Sequence, residues 1–326
     1  MPLASPPPRP GVARAAVLSG LLAVVFASAP AGACEPFRAP PGVPVALVLS
    51  GGGAKGAWEA GAAVRLLERG LPVRLVAGSS AGALNAAMLA DGRLDRLEAL
   101  WRSVTREQVY GLRAGVFFAG LLPGWLTLLA LDGAGSLLDP APLRELIIGA
   151  LDFERVRASP RRLLVVTTDL ARRAPRLFDN ATVSVDALMA AAAVPGAFPP
   201  VAVDGALLVD GGLTGRAPVL EALEAGVPVG RVLVLLSYAA DEPGHAPTSL
   251  RRTLEEAFEM AMVHQIRRDV ELARLKYPAV DVQLLTPATP LRLRPLEFDP
   301  AGMAEALARG RADAERCLER WPGVLP

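Results

Sequence analysis

"LVAGSSAGALNAAML", Leu75 to Leu89, is the stretch on which the reading of this chain turns. It begins as a buried strand and ends as a helix of small residues, and at the junction Gly78 and Gly82 flank Ser80 with GxSxG spacing. A strand that passes into a helix through two such glycines forces the central serine into a strained backbone conformation. Its hydroxyl is then presented at the strand end, with the positive pole of the helix behind it. Taken alone, the same letters also fit a small-residue helix cap. The segments around them decide between the two.

On either side, strand-like and helix-like segments alternate. Continuous apolar runs predict strands buried on both faces at Val45 to Ser50, Val73 to Ala77, Arg162 to Thr168, Arg231 to Ser237 and Val282 to Thr286. Helices are expected at Gly56 to Arg69, Ala83 to Ala90, Asp139 to Leu151 and Asp186 to Val194, with a long one from about Ser249 to Leu275. Val201 to Gly212 reads as a hairpin turned by Asp204 and Gly205. This alternation predicts a three-layer α/β fold, a mainly parallel central sheet with helices on both faces.

The ends and one internal stretch differ from this pattern. Arg9 and Arg14 precede an apolar run from Ala15 to Phe26 and a small-residue segment ending at Ala33, which reads as an export signal over residues 1–33. Cys34 would then begin the mature chain, either carrying a lipid anchor or pairing with Cys317, the other cysteine. A proline-rich connector over residues 34–44, one catalytic domain over residues 45–320 and a tail over residues 321–326 complete the expected organisation. Without residues 1–33, 32 basic residues face 33 acidic ones, a balance that offers no broad attraction to nucleic acid. Ala114 to Leu131 is eighteen residues without a charge, interrupted by Pro123 and Gly124. It reads as a buried helical hairpin or as an apolar patch that meets lipid.

Upstream of Ser80, "VALVLSGGGAKGAWEAG" places Gly51, Gly53 and Gly56 between a strand and a helix. That is the layout of a dinucleotide loop, but the second strand ends in "GSSAG" where such a site carries an acid for the ribose. Lys55 before Gly56, with no Ser or Thr after it, does not make a phosphate loop either. Glycines at the end of the first strand have a further use, since their N–H groups can hold the oxyanion of a tetrahedral acyl intermediate at roughly 2.7 to 4 kcal/mol per donor. In an open parallel sheet the first two strands deliver Gly52 and Ser80 to one edge.

Ser80 then needs a proton acceptor. Chain order allows a triad of Ser80, Asp210 and His245 or His264, yet neither histidine carries a local signature. Asp210 does, at the end of an apolar strand and followed by Gly211 and Gly212 in "LLVDGG". A carboxylate at a strand end can accept the hydroxyl proton directly.

Three motifs in order, "GGGAKG" (Gly51 to Gly56), "GSSAG" (Gly78 to Gly82) and "DGG" (Asp210 to Gly212), resemble the patatin-like phospholipase family. "VVTTDL" (Val165 to Leu170), "AAAAVPGAFPPV" (Ala190 to Val201) and "LARGRADA" (Leu307 to Ala314) are similar to further family segments. The resemblance implies hydrolysis of lipid acyl esters without metal or other cofactor. It implies Ser80 as nucleophile, Asp210 as base, and Gly51, Gly52, Gly53 and the N–H of Ala81 as the oxyanion hole, supported by Gly56, Gly78, Gly82, Gly211 and Gly212. The chain departs from the family pattern at Arg216, where an Asn is usual, and at Ala191, where a Ser is usual. The expectation is an exported serine acyl hydrolase acting on phospholipid or lysophospholipid; a Ser/Asp/His esterase and a non-catalytic lipid-binding protein are the alternatives.

Overall fold

The continuous apolar runs form the centre of one sheet. The computed structural model describes residue 34, residues 42–113, residue 116, residues 136–239 and residues 247–321. Its strands are β1 (Val45–Leu49), β2 (Val73–Gly78), β3 (Gly111–Leu112), β4 (Leu138–Asp139), β5 (Arg162–Asp169), β6 (Ala174–Asp179), β7 (Val201–Val203), β8 (Ala206–Asp210), β9 (Arg231–Leu235) and β10 (Asp281–Leu285). The main sheet runs β10-β9-β1-β2-β5-β8-β7, with β6 also on β5, while β3 and β4 pair separately. β10, β9, β1, β2 and β5 are mutually parallel; β6, β8 and β7 join antiparallel.

The helices are α1 (Gly56–Glu68), α2 (Ala81–Asp91), α3 (Leu94–Ser103), α4 (Arg106–Val109), α5 (Ala141–Ala150), α6 (Phe153–Arg157), α7 (Val185–Ala191), α8 (Gly212–Gly215), α9 (Val219–Glu224), α10 (Leu250–Lys276) and α11 (Pro300–Arg320). Successive side chains of β1 go to opposite cores, as the two-residue period of a strand requires. Val45, Leu47 and Leu49 pack with Trp58, Leu66, Leu89 and Leu307 from α1, α2 and α11. Ala46 and Val48 pack with Ala222, Ile266 and Val270 from α9 and α10. Each fully buried Val or Leu contributes about 1.5–3 kcal/mol. The expected three-layer α/β architecture is therefore the observed one.

Several elements lie outside the sequence expectations, among them α3, α9, β6 and α11, and the last two bear on the site's frame. β6 is an edge strand whose alternating Pro175, Arg176 and Leu177 offer no continuous apolar run. α11 docks on α1, where Gly61 meets the Leu307 carbonyl and Gly310 the Trp58 carbonyl too closely for a Cβ on either. Trp58 Nε1 donates to Asp313 Oδ2 at 2.8 Å across the same contact. This docking is what "LARGRADA" supplies. Cys34 forms a disulfide with Cys317 of α11, Cα to Cα 5.5 Å, and bridges to Leu285 of β10. Its sulfur is thereby occupied.

The export signal of residues 1–33, the tail of residues 322–326, His245, and Ala114 to Leu131 apart from Val116 lie outside the described residues. Among those described, no helix is long and apolar enough to cross a membrane.

Candidate active site

The site begins with a conflict between residue and backbone. Ser80 caps α2 with φ +53°, ψ −134°, in the region that favours glycine. Holding a serine there costs on the order of 1–3 kcal/mol, which the surrounding structure must supply. It does so by close packing. A Cβ on Gly78 would strike the Gly82 carbonyl, and one on Gly82 would lie 2.5 Å from the Leu49 carbonyl oxygen at the end of β1. The GxSxG glycines therefore weld the start of α2 onto β1 and β2. Ser80 is 6% exposed.

How Asp210 reaches this turn follows from pairing on β5. Val165 pairs with both Gly78 of β2 and Phe178 of β6; Thr167 pairs with both Asp210 of β8 and Arg176 of β6. A strand residue has only two edges, and β6 takes one from Leu164 to Asp169, so β2 and β8 share the other end to end. Their C-terminal ends face each other two β5 residues apart, roughly 6.6 Å along the strand. Ser80 follows one end and Asp210 closes the other.

Both are gripped from behind by the end of α7 and the turn after it. Ser80 N–H donates to the Ala191 carbonyl and Asp210 N–H to the Ala193 carbonyl, each at 3.0 Å. The helix stops at Ala191, short of the expected Val194; the carbonyl of its last residue turns to Ser80 and that of Ala193, in the turn that follows, to Asp210. That is the structural use of the "AAAAVPGAF" segment, which residue chemistry alone does not reveal because backbone carbonyls act. Thr168 Oγ1 donates to the Asp210 carbonyl at 2.9 Å and also bonds Thr214 Oγ1. Ser79 is the structural member of the serine pair: fully buried, its Oγ donates to the Arg216 carbonyl at 2.6 Å.

The carboxyl of Asp210 is 1% exposed. Oδ1 accepts from Gly212 N–H at 2.7 Å, whereas Oδ2 is buried without a hydrogen bond of normal geometry. Burial pushes its pKa above the usual carboxylate value, opposed by the charge of Arg216, the Gly212 N–H and interaction with the Ser80 hydroxyl. A buried, half-satisfied carboxylate of raised basicity beside a strained serine can take up a proton.

The glycine loop divides unequally. Gly51, Gly52 and Gly53 have φ of +74°, +134° and +59°, so each needs glycine. Gly51 N–H donates to Glu59 Oε2 at 3.1 Å, and its carbonyl accepts from Ser237 Oγ at 2.9 Å. Its N–H is spent, which corrects its expected place in the oxyanion hole: Gly51 is an anchor. Among the described residues the N–H groups of Gly52, Gly53 and Ala81 have no acceptor. Ala54 N–H is taken by the Pro295 carbonyl at 2.8 Å. Gly56 supports the loop through its carbonyl, which accepts from Asn85 Nδ2 at 2.9 Å, and Gly211 through close approach to the Val166 carbonyl and Ser79 Cβ.

Glu59, at the root of the loop, is missed by motif reading. Fully buried, it also accepts from Ser50 Oγ at 2.5 Å, and burial pushes its pKa up to about 8. Lys55 is buried too, 3.5 Å from Glu259 and 3.8 Å from the centre of the Tyr238 ring. His264 is exposed on α10, unlike Ser80 and Asp210. Among the described residues no group of three or more His, Cys, Asp or Glu is placed to hold a metal ion.

The family model for patatin-like phospholipases matches residues 47–223, just over half of the chain. Uncharacterized NTE family proteins of Mycobacterium bovis and Mycobacterium tuberculosis are 33% identical over 175 residues, 53% of this chain. The matched region spans 44% of their length, so the chain corresponds to less than half of these relatives. Among solved structures, VipD from Legionella pneumophila superposes over 88% of this chain and 69% of its own at 15% identity, TM-score 0.47. The type III effector ExoU covers 86% of this chain and 54% of its own at 19% identity, TM-score 0.33. Neither score carries weight beside the sheet order and the family model. With the glycine loop, the serine turn and the DGG strand end all inside the matched region, the chain belongs to the patatin-like phospholipase family.

Proposed function

We propose that this protein is a serine acyl hydrolase that cleaves phospholipid or lysophospholipid esters through an acyl-enzyme, with Ser80 as nucleophile and Asp210 as base. One observation supports the reading: β2 and β8 meet end to end on β5, which brings the strained Ser80 and the half-satisfied carboxyl of Asp210 to one strand junction, where the two side chains interact. Ser80 Oγ attacks the acyl carbonyl carbon while its proton passes to Asp210. The carbonyl oxygen becomes the oxyanion and accepts from Gly52, Gly53 and Ala81 N–H. Collapse expels the alcohol, which takes the proton from Asp210, and a water activated by Asp210 then releases the fatty acid. With an acid as weakly basic as Asp, the main-chain donors supply much of the acceleration.

A triad esterase would need an imidazole at Asp210; the described histidine, His264, is exposed while the carboxyl is buried. Export to an oxidising compartment belongs to the same proposal and is supported by the Cys34–Cys317 disulfide. The test is covalent labelling with a fluorophosphonate and mass-spectrometric product analysis on a mixed lipid extract. Label on Ser80, with fatty acid released by the native protein and not by Ser80→Ala, is the expected result. Absence of label together with tight vesicle binding would establish a binding module instead, and activity lost in His245→Ala or His264→Ala as well as in Asp210→Asn would establish a triad.

A further inference from the structure

Arg216 stands where the family pattern usually has Asn, and the structure gives it an unusual setting. It follows α8, is only 4% exposed, and its carbonyl is fixed to the serine turn by Ser79. Nε is buried without a hydrogen-bond partner, and Nη1 reaches only the weakly accepting Met262 Sδ at 3.1 Å. Nη2 lies against the glycine loop, 3.6 Å from where a Cβ of Gly52 would sit.

A guanidinium cannot shed its proton, so one buried without hydrogen bonds needs a counter-charge close by. Met262 Sδ also lies 3.2 Å from where a Cβ of Gly212 would sit, and Asp210 Oδ1 lies 2.9 Å from that same point, so the guanidinium and the Asp210 carboxyl border one methionine. The guanidinium charge acts on two acids, Asp210 and Glu59. Glu59 has both oxygens engaged already, by the Ser50 hydroxyl and Gly51 N–H. Of the other charged groups nearby, Lys55 of the loop pairs with Glu259 of α10 and Asp169 of β5 with Arg172, while Glu221 of α9 lies against Gly215 and feels the charges of Asp269 and Glu224. Asp210 remains as the counter-ion. Yet the two do not hydrogen-bond: Oδ1 is taken by Gly212 N–H and Oδ2 is open.

Resting on the Ser80 and Asp210 reading above, we propose that Arg216 is a positioning residue: it supplies the counter-charge for Asp210 across space and leaves Oδ2 free for the Ser80 proton. A direct fork-to-carboxylate bridge would occupy both oxygens and remove their basicity. An apolar neighbour would leave the buried carboxyl protonated and inert. A cation held at one remove avoids both.

The test is the pH profile of kcat/KM for a p-nitrophenyl ester from pH 5 to 9 in the wild type, Arg216→Gln, Arg216→Met and Arg216→Lys, with thermal melts to check folding. The acid limb reports ionisation of the base. Loss of the charge in Gln or Met moves it upward by about 1 pH unit or more, and activity recovers towards high pH. Met matches the apolar wall at Met262 and serves if Gln fails to fold. Lys restores the wild-type limb. A limb that stays in place in the neutral variants while the whole profile drops would overturn the proposal. Fluorophosphonate labelling of Ser80 and the rate of Asp210→Asn are measured alongside. If Asp210→Asn hydrolyses at the wild-type rate, the base assignment fails, and this role with it.

Discussion

Two buried carboxyls flank the serine turn and feel the same guanidinium, yet they are built for opposite ends. Glu59 lies under the loop that leaves β1, with one oxygen taken by Ser50 Oγ and the other by Gly51 N–H. Asp210 ends β8 with one oxygen taken by Gly212 N–H and the other open. Burial raises both pKa values. The difference lies in hydrogen-bond satisfaction: a carboxyl with both oxygens engaged fixes a backbone, and one with a free oxygen can receive a proton. The same functional group at near-identical burial thus yields an anchor on one side and, on the other, the carboxyl proposed as base.

The sharpest way to break this contrast is to neutralise each acid in turn. Asp210→Asn should reduce ester hydrolysis by roughly 10²- to 10⁴-fold with the fold intact. Glu59→Gln keeps an acceptor for Gly51 N–H and should stay within several-fold of wild type. Equal losses in steady-state kinetics would erase the distinction.

Stability against pH sharpens it further. Glu59 ionises near its ordinary 4.5 in the unfolded chain but at about 8 when folded. The folded state therefore binds the extra proton between those values, and its stability falls as pH rises through them, by up to about 1.4 kcal/mol per unit. Below 4.5 the effect is fully retained and above 8 fully lost. Denaturant titrations from pH 5 to 8 should show this slope in the wild type and a flatter one in Glu59→Gln. Parallel slopes would mean that Glu59 is charged in the fold.

A smaller effect concerns the close approach that holds the Asp210 side in place. Ser79 is wedged between Gly51 and Gly211, and a Cβ on Gly211 would lie 3.0 Å from Ser79 Cβ and closer still to the Val166 carbonyl. Gly211→Ala should cost about 1–3 kcal/mol of stability and lower activity by displacing Asp210 from Ser80. A variant with wild-type melting temperature and rate would show that the two strand ends tolerate separation.

What could be read from the chain itself was whatever local sterics and burial period dictate. Continuous apolar runs marked β1, β2, β5, β9 and β10; the paired glycines marked the turn at Ser80; the DG dipeptide at Asp204 and Gly205 marked the β7–β8 hairpin. Each of these is a property of a few consecutive residues. β6 escaped because an edge strand needs no apolar run. The anchoring of Gly51, the half-open carboxyl of Asp210, the buried charge of Arg216 and the carbonyl grip of Ala191 and Ala193 left no mark in composition or spacing. They depend on which groups find partners once β2 and β8 have shared an edge of β5, and a hydrogen bond made or left open is settled only by the closed fold. The sequence alone determined that a serine would be strained at a strand end; the tertiary structure decided which donor, acid and cation would face it.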